Sequence, residues 1–283
     1  MYTQMPIALP EPVQIEVLAA GPLVAKLRLT RKLHASSLTQ VISLRRGSRR
    51  VDFETEVDWQ ESHKLLKVAF PVNIHAHEAI HEIQFGHIRR PNHYSRPFDA
   101  DRFEVANHKW SALAEENRGF AVLNDCKYGL NVLGNSINLT LLKSAMAPDM
   151  TADKGKQVFT YAFYAWNGSL AESDVVRQGY ELNCPVVTAL GAAGEQSLFS
   201  VDAPNVVIEA VKPAEDGSGD VIVRLYESKR MATRCQLATT LPVARAKRTD
   251  MLEKALEDVP FANGRVAFDL SPFEVKTIRF SRR

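Results

Sequence analysis

At 283 residues, with 45% hydrophobic and 24% charged side chains, the chain has an ordinary globular balance and room for two domains. A formal net charge of +2 sets up no strong field toward nucleic acid, acidic substrates or a lipid surface, and the longest apolar runs stop well short of a membrane span. Cys126, Cys184 and Cys235 are scattered with no C-x-x-C pair, which argues against a disulfide framework and for a reducing, cytoplasmic setting. The opening 1–12 stretch has neither a basic start nor an apolar core, so no signal peptide is expected there.

The dominant hydrophobic period is two. Val51, Phe53, Thr55, Val57 and Trp59 alternate with Asp52, Glu54, Glu56, Asp58 and Gln60, which predicts a strand with one apolar and one polar face. Short β-rich runs follow at 65–72, 83–85, 137–142 and 159–166, then at 206–211, 221–226, 265–270 and 275–280. The runs at 206–211 and 221–226 flank a P-A-E-D-G-S-G-D loop and read as a hairpin. The best helical candidate is 249–259, where Asp250 and Glu253 suggest a capping-box-like start. Small residues loosen the pattern near 189–204. The expected organisation is therefore a large β domain over 1–195 and a small antiparallel β-sandwich over 196–283.

Seven of the eight histidines fall between His63 and His108. On a strand, His75 and His77 would share a face about 7 Å apart, a spacing that suits two ligands of one metal, and His81 could join across a turn. Neither H-E-x-x-H nor a finger spacing is present, so a solvated edge is the better reading of His75, His77 and His81. Asp52, Glu54, Glu56 and Asp58 share one strand face. Glycosidase carboxylates flank the scissile bond from separate elements, so this row fits pairing with basic neighbours such as Arg45, Arg46, Arg49 and Arg50 better than catalysis. No nucleophile elbow, P-loop or dinucleotide fingerprint occurs, and basic residues lack the aromatic interleaving of a single-strand binder.

Several strings resemble the C-terminal region of glycoside hydrolase family 38 α-mannosidases of the bacterial and vacuolar type. They are V-D-W-Q-E-S-H-K-L-L-K-V-A-F-P at 57–71, E-I-Q-F-G-H-I-R-R-P at 82–91 and R-F-E-V-A-N-H-K-W at 102–110. L-N-D-C-K-Y-G at 123–129, L-T-L-L-K at 139–143 and P-F-E-V-K-T-I-R at 272–279 continue the series in the family's order. The resemblance implies a β supersandwich, similar to the galactose-mutarotase-like fold, followed by a small β-sandwich. It also implies that zinc and the aspartate nucleophile of the retaining reaction belong to an upstream catalytic domain, with no catalytic residue and no cofactor in this chain. The isolated chain is then expected not to cleave α-mannosides.

The resemblance further implies that a basic residue of an L-L-R-S-P-like segment points toward the sugar pocket. Here the segment reads L-L-K-S-A, so Lys143 stands in place of arginine and loses the bidentate fork. Lys143, Asp149, Asp153 and Trp110 are the pocket-facing candidates. The family's H-K-W-x-D-L-S-E reads H-K-W-S-A-L-A-E, losing polar groups at Ala112 and Ala114. Expected partners are the upstream catalytic and helical domains, an α-mannoside, and a second copy through the face such domains would cover; nucleic acid and membrane are not expected. The alternatives are a free-standing carbohydrate-binding module and a mutarotase-like protein.

Overall fold

A computed structural model of the protein describes residues 5–102, 104–191 and 194–282. The chain divides into two compact units, one of residues 1–82 and 88–186, the other of residues 83–87 and 187–283.

The first unit opens with β1 (Gln14–Ala20), β2 (Val24–Leu33), β3 (Ser36–Arg45), β4 (Arg50–Trp59) and β5 (Leu65–Pro71). It continues through β6 (Glu78–Ile83), β7 (Gly86–Pro91), β8 (Val105–Ala106), β9 (Trp110–Ala114), β10 (Arg118–Asn124) and β11 (Gly129–Leu133). It closes with β12 (Ser136–Lys143), β13 (Gly155–Asn167) and the helix α1 (Val175–Asn183). Nine strands form one sheet in the order β1-β2-β3-β4-β13-β10-β9-β6-β7, and four form a second in the order β5-β12-β11-β8. Apolar residues of both sheets meet in one core, where Phe70 of the smaller sheet packs against Phe53, Phe120, Tyr161 and Phe163 of the larger. The alternation expected of β4 is present: Val57 and Trp59 are buried while Glu54, Glu56 and Asp58 face solvent. Gly119 is fixed by packing, since a Cβ there would sit 2.0 Å from the Trp166 ring.

The second unit holds β14 (Phe199–Val201), β15 (Val206–Pro213), β16 (Val221–Glu227), β17 (Thr233–Thr239), β18 (Val243–Thr249), β19 (Ala255–Val259), β20 (Arg265–Leu270) and β21 (Val275–Arg282). A three-stranded sheet, β14-β17-β20, faces a five-stranded one, β15-β16-β21-β18-β19, over a core that includes Val223, Leu225, Leu237, Val266 and Phe280. The β15–β16 hairpin forms as expected. Among the described residues no helix is long and apolar enough to cross a membrane.

Two local expectations fail in whole or in part, and one helix forms where none was expected. Residues 249–259 form a hairpin instead of a helix: the Asp250 carboxylate accepts the N–H groups of Leu252 and Lys254, Glu253 turns at φ 66°, and β19 pairs back on β18. A short acidic residue before a run of good helix formers caps a turn as readily as a helix. Of residues 83–85 only Ile83 is in a strand, the last of β6; Gln84 and Phe85 form the turn to β7, with Phe85 at φ 56°. The helix that does form, α1, was hidden by Gly179 at its centre, a residue that weakens helices. A Cβ there would come 3.1 Å from the Trp110 ring, so a larger residue would press the tryptophan by a few tenths of an ångström.

Candidate functional site

The site is built on two loops of the first unit. The turn after β4 carries Glu61, His63 and Lys64. Glu61 is 4% exposed, yet its carboxylate accepts the Ala35 N–H at 2.9 Å, the Ser36 hydroxyl at 3.0 Å and the Lys64 ammonium. Burial pushes this carboxyl up, but the hydrogen bonds from Lys64, Ser36 and Ala35 outweigh it and hold the group below the ordinary glutamate value. The end of β12 is clasped to this turn. The Ser144 carbonyl accepts the His63 N–H at 2.9 Å and the Ser144 hydroxyl accepts the Lys64 N–H at 3.2 Å. In return Ser144 donates its N–H and its hydroxyl to the Lys64 carbonyl, at 3.1 and 3.0 Å.

Lys143 thus sits at the tip of a strand whose next residue is locked. Its N–H donates to the Asp153 carboxylate at 2.7 Å, and its own side chain is exposed, with no ion pair among the described residues. Asp153 holds φ 63° to present that carboxylate. Asp149 is also exposed. The N–H and hydroxyl of Thr151 both donate to it, holding its carboxyl below the usual range. These three predicted residues therefore belong to one loop, next to the Glu61 turn. Beside the turn lies a cavity of about 530 Å³, lined by Leu33, His34, Trp59, Glu61, His63 and Lys64 among others.

Trp110, the fourth candidate, is elsewhere. It is 1% exposed on β9 and packs against Gly179 of α1, so it is a core residue and does not face a pocket. Residue-type reasoning missed Glu61, Ser36 and Ser144. The only signal was their setting: a carboxylate and small hydroxyl residues at or just beyond strand ends, where side chains bond neighbouring turns.

The histidine trio is split. His75 and His77 precede β6 and lie off any strand, exposed, with ring centroids 5.2 Å apart in an edge-on arrangement. His81 contradicts the solvated-edge reading: it is 1% exposed inside β6, its Nδ1 lies 2.9 Å from the Ser111 hydroxyl, and burial drives its imidazole down to about 3. Among the described residues no three His, Cys, Asp or Glu side chains converge as metal ligands. The zinc implied by the family resemblance has no ligand set among them. Two of the four β4 carboxylates are ion-paired. Asp52 pairs with Arg50 at 2.7 Å and Glu56 with Lys156 across β13 at 2.9 Å.

Residues 1–151 match the Glycosyl hydrolases family 38 C-terminal domain, and residues 205–278 match the C-terminal beta sandwich domain of the same family. The chain belongs to glycoside hydrolase family 38. It is 42% identical over 252 residues to human alpha-mannosidase 2C1 and 41% identical over 256 residues to alpha-mannosidase G of Dictyostelium discoideum. Each alignment takes in 86% of this chain, but only 24% and 23% of the respective relative. The alpha-mannosidase of Saccharomyces cerevisiae is 35% identical over 256 residues, covering 81% of this chain and 24% of its own. This family-38 chain thus spans about a quarter of the length of the curated relatives it matches. The crystal structure of an alpha-mannosidase from Enterococcus faecalis superposes with a TM-score of 0.80 at 18% identity, over 96% of this chain and 35% of that one, and so shares its fold.

Proposed function

We propose that this family-38 chain is the non-catalytic β region of an α-mannosidase and that the Lys143 loop closes one side of the mannoside pocket. Zinc and the nucleophile of the retaining reaction are assigned to the part of the relatives that lies beyond this chain's match. The observation that carries the reading is the tip of β12: an exposed ammonium on a strand end anchored by Asp153 and by the Ser144–Lys64 clasp. An ammonium on a backbone-anchored, solvent-facing tip can hydrogen-bond sugar hydroxyls, at a cost of up to about 2 kcal/mol for ordering its flexible stem. The free cysteines agree with a reducing, cytoplasmic setting.

The test uses a family-38 polypeptide carrying this chain as its C-terminal quarter, assayed on an aryl α-mannoside. Lys143→Met should lower kcat/KM about tenfold, about 1.4 kcal/mol of transition-state stabilisation, and Lys143→Arg should retain most of it. Unchanged kcat/KM in Lys143→Met would remove the loop from the pocket. The isolated chain should give no turnover above buffer, with or without added zinc or cobalt.

A further inference from the structure

The nine-stranded sheet has an apolar face that its own unit leaves partly uncovered. Pairing aligns Ile15 with Leu29, Val17 with Leu27, Leu27 with Ile42 and Ala25 with Leu44, and carries the same face on through Phe53 to Tyr161. Exposure is low at the centre of the sheet and greatest on the edge strand, with Leu44 of β3 and Leu27 of β2 between. Tyr161 is 3% exposed, Leu27 39%, Leu44 44%, Val17 64% and Ile15 66%. The opposite face of the same ribbon is polar, with Glu16, Lys26 and Arg28, and the Arg28–Glu16 pair at 2.8 Å lies on it. The alternation of β1 and β2 therefore prepares one face for solvent and one for burial. The second fails to be buried because the facing sheet has four strands against nine.

We infer that the aliphatic face of the β1–β2–β3 ribbon seats a further domain of a family-38 polypeptide, one that presents an apolar surface to Ile15, Val17, Leu27 and Leu44. The inference rests on the mannosidase reading above and names the surface through which that reading is realised. Two observations select this occupant. Curated relatives carry roughly three times as much additional polypeptide as the part matched here, so a domain is available to cover the face. The four side chains expose on the order of 400 Å² of aliphatic surface, which with a matching area on the partner makes a contact of about 800 Å², within the roughly 600–1,500 Å² of an intrachain domain contact. A stable two-fold dimer needs about 800 Å² from each partner, roughly twice what the face offers a second copy.

Cysteine footprinting tests it in a chimaera in which this chain replaces the corresponding quarter of Dictyostelium discoideum alpha-mannosidase G. Val17→Cys should react with a maleimide at least tenfold more slowly in the chimaera than in the isolated chain. Equal rates in an active chimaera overturn the inference and leave the mannosidase reading standing. Slowed labelling in a folded but inactive chimaera keeps the docking face and removes that reading; an inactive chimaera with equal rates removes both. Two measurements on the isolated chain need no chimaera. Ile15→Ser/Val17→Ser/Leu27→Ser should melt within a few degrees of the parent, and a large fall would assign the face to the unit's own core. Sedimentation velocity over a hundredfold concentration range should show monomer at the dilute end. A dimer that persists on dilution and dissolves in Val17→Asp gives the face to a second copy and overturns the proposal.

Discussion

The two ends of the nine-stranded sheet obey the same alternation and meet different fates. At β4, β13 and β10 the inward-facing residues Val57, Phe159, Tyr161 and Phe120 are all at or below 3% exposure, because the β5-β12-β11-β8 sheet lies over them. At β1 and β2 the equivalent positions Ile15, Val17 and Leu27 stand 39–66% exposed. A period of two selects which face of a strand is apolar; whether that face is buried depends on what lies opposite. The difference separates residues that hold this unit together from apolar residues that its own core leaves at the surface.

The largest effect that can break this contrast comes from Phe120→Ala against Ile15→Ala. Phe120 is 3% exposed and 4.6 Å from the Phe163 ring, and its truncation should cost about 3–5 kcal/mol. Ile15 should cost less than about 0.5 kcal/mol. Urea unfolding of the isolated chain reads both, and similar losses would mean that the edge is covered as well as the centre.

His81 sharpens the same contrast through pH. Burial, then the nearby charge of Arg90, lowers its imidazole from 6.5 to about 3, so the unfolded chain takes up this proton at a higher pH than the native one. Its contribution is complete above about pH 6.5 and is lost as the pH falls toward 3, by on the order of 4 kcal/mol. His81→Gln should flatten that limb of the stability–pH curve. An unchanged slope between pH 6 and 4 would show that the β6 interior is open to water.

The smallest effect is expected at the site loop. Glu61→Gln leaves the Lys64 ammonium, the Ser36 hydroxyl and the Ala35 N–H with a weaker acceptor and should cost about 1–3 kcal/mol at neutral pH. The native carboxyl lies below the ordinary 4.5, so its stabilisation is full above that value and fades as the pH falls through the lower native one. Thermal melts of parent and variant should converge in that acid window. A constant gap would mean that the Glu61 charge contributes nothing.

Much of the strand set was legible because alternation survives wherever one face is buried and the other wet. The runs behind β4, β12 and β20 kept that alternation, and the β15–β16 hairpin carried glycines where its loop needs them. Strands β9 and β10 were not legible, because they are buried almost throughout and have no polar face to alternate. The Asp250 turn misled because one carboxylate accepting two N–H groups looks the same in sequence whether a helix or a hairpin follows. At the site, L-L-K-S-A pointed to the Lys143 loop, whereas the clasp of Ser144 on Lys64 spans eighty residues of chain and left no local trace.

The sequence by itself determined a two-part β protein, the apolar face of its clearest strand and the family-38 resemblance, because alternation and ordered motifs are properties of neighbours along the chain. Only the tertiary structure decided that Trp110 is a core residue, that His81 is buried apart from His75 and His77, and that the apolar face of β1 and β2 lies open. Those outcomes depend on which element is placed opposite, through pairings between residues far apart in sequence.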